Sequence, residues 1–248
     1  MAKWNDPQPR SPFGAGFGAS PSLNPAAAAS YDMGLRRYML SIYNYMASGV
    51  LLSGIVALLF ASSGFAQQVM VTPLRWLIVL APLGFVMAMS FGLQRMQTST
   101  LKMLFWAFSV AMGLSLSSIF LVYTGPSIAT TFFATAAAFA GLSIVGYTTK
   151  KNLSGFGTFL TMGVWGLLAA MVINMIWPSN GLSLVISLLG VLIFAGLTAY
   201  DTQRLKETYA HVAGSDMMGK VVIMGALSLY LDFINMFTFL LQFLGDRR

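Results

Sequence analysis

The sequence predicts an all-α, polytopic membrane protein with about seven transmembrane helices. Of its 248 residues, 57% are hydrophobic and only 8% are charged, whereas a soluble domain typically carries about 25% charged residues. The chain therefore has too few charged side chains to face water on all sides. Cysteine is absent from the sequence, which excludes disulfides and thiolate metal sites.

Residues 1–30 are predicted to form a disordered cytoplasmic tail rich in Pro, Gly and Ala. This segment holds five of the nine prolines of the chain. It lacks the continuous apolar stretch of a signal peptide, and its composition is typical of disorder. Residues 31–248 are predicted to form the transmembrane domain.

Hydrophobic stretches follow the tail with short breaks between them. Most of them approach the roughly 20 residues that a helix needs to cross a bilayer at about 1.5 Å per residue. The breaks contain turn-forming runs such as TPLR, YTGPS, KKNLSGFG and WPSNG. The predicted spans are 38–60, 76–94, 103–123, 128–147, 157–177, 182–200 and 221–244.

The distribution of basic residues orients these spans. If the N-terminus is cytoplasmic, 11 of the 14 lysines and arginines fall in cytoplasmic segments, as the positive-inside rule expects. An odd number of spans then places the C-terminus on the other side of the membrane. The net charge of +7 is explained by this asymmetry, and no nucleic-acid partner is expected.

Two aspartates fall in or beside the last two spans: Asp201 at the predicted inner end of span six, and Asp232 inside span seven. An intramembrane carboxylate costs about 2.5–3.5 kcal/mol on insertion scales, so such groups usually face the protein interior or water. Small and polar residues recur around Asp232 at helical spacing, including Ser228 and Asn235. Small residues allow close helix packing, so this stripe predicts that span seven packs against span six. A loop of about 20 residues would join the two spans, and the two carboxyl groups could meet at their contact.

Such a pair would respond to pH. Two like charges at a low-dielectric site cannot both ionise cheaply, so the pair would share a proton and titrate as a unit. The residues leave other arrangements open. Asp201 could pair with Arg204 or Arg95, and Asp232 could be hydrogen-bonded to Asn235 or a tyrosine.

The segments Tyr200–Gln203 (YDTQ) and Leu231–Ile234 (LDFI) resemble the paired motifs of the Bax inhibitor-1 family, bacterial branch. The similarity covers nearly everything except the first 30 residues. It implies an inner-membrane protein whose last helix is central and surrounded by the other six. It also implies that Asp201 and Asp232 correspond to the family's pH-sensing pair in a calcium-leak pathway, with Arg95 as a candidate charge partner.

The expected function is therefore a pH-sensitive calcium (cation) leak. Asp201 and Asp232 are expected to act as sensor and as weak, transient calcium ligands, supported by Asn235 and Ser228. Calcium prefers six to eight oxygen ligands, so this set would bind it loosely, as conduction requires. No cofactor is expected. The expected partners are the lipid bilayer and the calcium ion, with a membrane protease or another membrane protein as a further candidate.

Two other functions are compatible with parts of the sequence. A regulatory membrane protein that modulates a membrane protease or a stress response would need no ion transport and could use residues 1–30 for recognition. Intramembrane aspartyl proteases also carry two aspartates on adjacent helices. Their second motif is Gly-x-Gly-Asp, followed by Pro-Ala-Leu, whereas this chain has Leu-Tyr-Leu-Asp and no proline after Pro178, so no enzymatic activity is expected.

Overall fold

The structure, a computed structural model, describes residues 25–248, which fold into eight α-helices. All but α2 are long and apolar enough to cross a membrane, and each predicted span overlaps one of these seven helices. The seven-span prediction is confirmed. The helices are α1 (Pro25–Ser62), α2 (Phe65–Met70), α3 (Leu74–Gly92), α4 (Thr98–Val122), α5 (Gly125–Thr148), α6 (Ser154–Ile176), α7 (Asn180–Val212) and α8 (Met218–Leu244).

The start of α1 corrects one predicted boundary. The helix begins at Pro25, so residues 25–30, which the sequence analysis assigned to the tail, are helical. Proline is tolerated in the first turn of a helix, and the four alanines that follow have the highest helix propensity of any residue. The remainder of the predicted tail, residues 1–24, lies outside the described residues.

The end of α7 corrects a second boundary. The helix continues to Val212, so Asp201 lies within it, and only residues 213–217 connect it to α8. The predicted loop of about 20 residues is wrong because residues 201–212 are too polar to register as a span. They nevertheless form an amphipathic helix whose buried face includes Leu205 and Tyr209.

Helix α8 is the centre of the bundle. Of the residues in its most apolar stretch, 67% are buried, against 11–33% in the other spans. It packs mainly on α1, α4, α5 and α7, whereas α3 packs on α4 and α6 on α7. The prediction of a central last helix is confirmed, although four helices rather than six make its principal contacts.

A buried polar network joins α8 to α1 and α4. Ser53 Oγ lies 2.6 Å from the carbonyl oxygen of Ser109 and 2.6 Å from the Tyr230 hydroxyl. Because the single proton of Ser53 is used on the carbonyl, Tyr230 donates to Ser53. The Tyr230 ring also meets Phe108 edge-on, with 4.9 Å between ring centroids. Satisfied polar contacts of this kind fix the relative positions of helices.

Helix α5 lies close against the backbone of α7 at Gly146. A Cβ atom at this position would collide with the carbonyl oxygen of Ala199 on α7. A backbone atom cannot move aside as a flexible side chain can, so this contact requires glycine. Gly141, on the same helix, would meet nothing within 4 Å.

We expect Gly146→Ala to destabilise the bundle by about 1–3 kcal/mol, the usual effect of inserting a methyl group into a filled interior. Gly141→Ala should be neutral or slightly stabilising, since alanine favours helix by up to about 1 kcal/mol over glycine. Thermal unfolding of both purified variants in the same detergent measures the difference. Equal stability of the two would contradict the close α5–α7 contact.

Candidate functional site

Asp201 and Asp232 lie on facing helices. Three contacts set the antiparallel register of α7 and α8: Ser187 donates a hydrogen bond to Gln242 Oε1 at 3.4 Å, Gly190 lies under the Phe239 ring, and Leu205 packs on Gly225. Between these points the register places Asp201 level with Ser228, and Asp232 level with Thr198. The two aspartates are therefore about one turn apart along the interface, roughly 5.4 Å in height.

The carboxyl group of Asp232 is almost completely enclosed. The residue is 5% exposed, and its Oδ2 atom has no hydrogen-bond partner among the described residues. Most buried polar atoms in folded proteins are hydrogen-bonded, and each exception calls for an explanation. A water molecule or a cation at Oδ2 would satisfy this atom, whereas a proton would remove its charge and turn it into a donor that needs an acceptor.

Asp201 is also buried, at 8% exposure, but it has a charged partner. Its Oδ1 atom lies 3.3 Å from Arg204 Nη2, one turn further along α7. The Arg204 guanidinium group is half exposed and lies 5.6 Å from the centre of the Tyr200 ring. Asp232 lies about one turn from Asp201 along the α7–α8 interface. The site thus contains two carboxyl groups and one cation. Asp232 is the most buried of the three residues, Asp201 is slightly less buried, and Arg204 lies at the edge of the protein.

The other predicted site residues make fewer contacts at the site. Arg95 is exposed in the turn between α3 and α4 and makes no ion pair within the described residues. Ser228 and Asn235 are half-buried on α8. The backbone oxygen of Asn235 accepts a hydrogen bond from Thr238 at 2.9 Å. Arg204, the alternative partner predicted for Asp201, is the cation that pairs with it.

The rest of the YDTQ motif holds α7 to its neighbours. Thr202 Oγ1 lies 3.4 Å from the Tyr43 hydroxyl on α1. Gln203 is buried and bridges the connection between α5 and α6: its Oε1 accepts from the Leu153 backbone N–H, and its Nε2 donates to the Lys151 carbonyl, both at 2.8 Å. Gln203 was not among the predicted site residues, although a glutamine two residues from an intramembrane aspartate is a signal of a buried polar contact.

Metal-binding capacity at the site is limited to these two carboxylates. Among residues 25–248, no three His, Asp or Glu side chains are placed to hold a metal ion together. Two carboxylates supply only part of the six to eight oxygens that calcium prefers. Any cation here would complete its coordination with amide, hydroxyl or water oxygens.

These features define a multi-pass α-helical membrane protein with an acid pair between its last two helices. The family described as "Inhibitor of apoptosis-promoting Bax1" matches residues 35–248. The chain belongs to this family, the Bax inhibitor-1 family, and the resemblance of its motifs is thereby confirmed.

Bacterial relatives match the chain over most of its length. An uncharacterized protein of Caulobacter vibrioides is 46% identical over 234 residues, covering 90% of this chain and 93% of the relative. An uncharacterized protein of Rickettsia prowazekii is 44% identical over 221 residues, covering 88% and 93%. The inner membrane protein YbhL of Escherichia coli K12 is 42% identical over 219 residues, covering 87% and 94%. The similarity therefore extends across all seven spans.

We expect Gln203→Ala to release the connection between α5 and α6, because both of its side-chain hydrogen bonds are lost. Trypsin should then cleave after the exposed Lys150 and Lys151 several-fold faster than in the wild type, in line with roughly 1 kcal/mol for each lost hydrogen bond. Gln97→Ala, at an exposed position, should leave this rate unchanged. Faster cleavage at Lys102 to the same extent would indicate general unfolding and contradict a local role for Gln203.

Proposed function

We propose that this protein is a pH-sensitive cation leak of the inner membrane, with calcium as the favoured ion and Asp201 and Asp232 as the sensor. The observation that carries the proposal is the buried Asp232 carboxyl group with an unpartnered oxygen, one turn from the Asp201–Arg204 ion pair. Burying an acidic side chain in a membrane costs free energy, and residues of this kind usually have a function.

Proton exchange at the pair would change the contact between α7 and α8. With one proton shared, the two carboxyl groups can be linked by a hydrogen bond, directly or through water. Without it, two negative charges face each other in a low-dielectric interior, where their repulsion is far stronger than in water. The helices then separate or a cation enters, with Arg204 offsetting part of the charge.

Calcium is a suitable cargo because the site offers only oxygen ligands and few of them. The two carboxylates, the half-buried Asn235 and Ser228 side chains and water would form a weak site. An ion that conducts must leave its site as readily as it enters. Weak coordination therefore favours passage over storage.

The distribution of charge supports a cytoplasmic N-terminus and a periplasmic C-terminus. Because consecutive spans alternate in direction, the start of α1, the α3–α4 and α5–α6 connections and the end of α7 lie at one end of the bundle. Lys220 Nζ, at the start of α8, donates to the Leu93 carbonyl at 3.2 Å, which joins α8 to that end. Most basic residues cluster there, as cytoplasmic segments require. The relative YbhL is named an inner membrane protein, which supports the same location.

Asp232→Asn tests the sensor. Asparagine has the shape of aspartic acid but cannot ionise, so calcium flux into proteoliposomes should lose its pH dependence between about pH 5 and pH 8. The variant should hold the flux that the wild type shows in acid, because the side chain mimics the protonated state.

The matched control is Asp216→Asn, the same chemical change at an exposed residue of the α7–α8 connection. Its pH profile should follow the wild type. A pH profile unchanged by Asp232→Asn would refute the acid-pair sensor. Absence of flux at every pH from folded wild-type protein would refute the leak and favour the regulatory function.

A second pair of variants tests which arginine acts on the pair. Arg204→Gln removes the positive charge that favours ionised Asp201, so the midpoint of the pH-dependent flux should move to higher pH. Arg95→Gln should leave the midpoint in place, since Arg95 makes no ion pair in the described part of the chain. A shift with Arg95→Gln alone would show that the expectation from the family resemblance was correct and the Arg204 contact irrelevant.

A further inference from the structure

A groove of about 850 Å³ separates α1 from α5. Its floor is Phe233 of α8, and its walls are mainly apolar, with Met39, Met46 and Phe139 among the lining residues. An open groove of this size has room for a ligand.

One polar atom in the groove has no partner. Ser143 lies on the α5 wall at 6% exposure, and its hydroxyl group makes no hydrogen bond within the described residues. Buried hydroxyls in helices commonly donate to the carbonyl four residues earlier, as Thr135 and Thr198 do here at 2.8 Å. The Ser143 hydroxyl is therefore an unsatisfied polar atom in the α5 wall, covered by its neighbours, and it can donate to a group in the groove once those neighbours shift.

One end of the groove is positively charged. Arg36 lines this end and has no ion-pair partner in the described chain. Lys206 adds a second cation: its Nζ donates to the Tyr147 carbonyl at 2.8 Å and lies 4.9 Å from the centre of the Tyr147 ring. Tyr147 itself lines the groove, and no carboxylate does. An anionic group would be favoured at this end.

The order of these features along the groove matches that of a phospholipid. Ser143 is four residues from Tyr147 on α5, so it lies roughly 6 Å deeper in the bilayer than the charged end. From Arg36 to Leu51 the α1 wall is roughly 22 Å long, and beyond Ser143 its surroundings are apolar. A lipid presents a phosphate, then ester oxygens, then an acyl chain in the same sequence.

We propose that the α1–α5 groove binds one anionic phospholipid from the surrounding bilayer. Arg36 binds the phosphate, Ser143 donates a hydrogen bond to an ester oxygen, and an acyl chain extends over Phe233. The bilayer is the source because the walls of the groove belong to two membrane-spanning helices. The binding site is independent of whether the protein conducts ions.

Native mass spectrometry of the full-length protein tests the headgroup contact. The protein is mixed with equal amounts of phosphatidylglycerol and phosphatidylcholine that carry identical acyl chains. One phosphatidylglycerol should be retained in preference to phosphatidylcholine. Arg36→Gln should weaken its retention about tenfold, the usual effect of losing one charge-assisted hydrogen bond. Arg37→Gln, an exposed neighbour outside the groove, should retain the lipid like the wild type.

Substitutions on α5 test the location. Ala140 lines the groove, whereas the equally exposed Ala137 does not, so Ala140→Phe should displace the lipid and Ala137→Phe should not. Ser143→Ala should weaken retention a few-fold. Both phenylalanine variants face outward, and unchanged thermal unfolding confirms that they fold.

Three results would overturn the proposal. Equal retention of the two lipids would show that the positive end does not select the headgroup. Equal effects of Ala140→Phe and Ala137→Phe would place the lipid elsewhere on the surface. Retention of neither lipid by the wild type would mean that another occupant, such as a helix of a second protein, covers the groove.

Discussion

The structure depends on burying a carboxyl group in the middle of its most enclosed helix. Asp232 lies on α8, which four other helices contact, so its charge cannot be relieved by exposure to solvent. On the facing helix α7, Asp201 lies about one turn away and is paired with Arg204. The α7–α8 interface therefore combines close packing with an electrostatic conflict whose size depends on protonation.

Neutral contacts fix the positions of the helices around this interface. Tyr230 joins α8 to α1 through Ser53, and Gln203 fastens α7 to the α5–α6 connection. Gly146 lets α5 approach the backbone of α7. These neutral contacts do not change with pH near neutrality. A change in charge at Asp232 therefore acts on a helix whose other contacts stay constant.

Hydropathy and motif spacing predicted the spans and the central last helix, and they pointed to Asp201 and Asp232, which the structure shows to be buried. They could not predict that α7 continues to Val212. The apolar signal ends where the helix leaves the lipid, but the helix itself continues beyond that point. They also could not choose between Arg95 and Arg204. Both are basic residues near the same end of the bundle, and the choice depends on the helical phase that places Arg204 one turn from Asp201. The unpartnered Ser143 hydroxyl depends on tertiary packing and has no counterpart in the sequence.

The acid pair and the α1–α5 groove meet at α8. Asp232 is directed toward α7, while the next residue, Phe233, forms the floor of the groove. The Phe233 ring lies 5.5 Å, centre to centre, from both Phe132 and Phe139 on α5. Successive residues on a helix point about 100° apart, so the two side chains occupy adjoining faces of one rigid element. If charge at Asp232 displaces α8, as the proposed function requires, Phe233 moves with it. A lipid in the groove opposes that displacement if it binds the undisplaced helix more tightly. Lipid and proton would then act on the same helix from different sides, and their effects would be reciprocal.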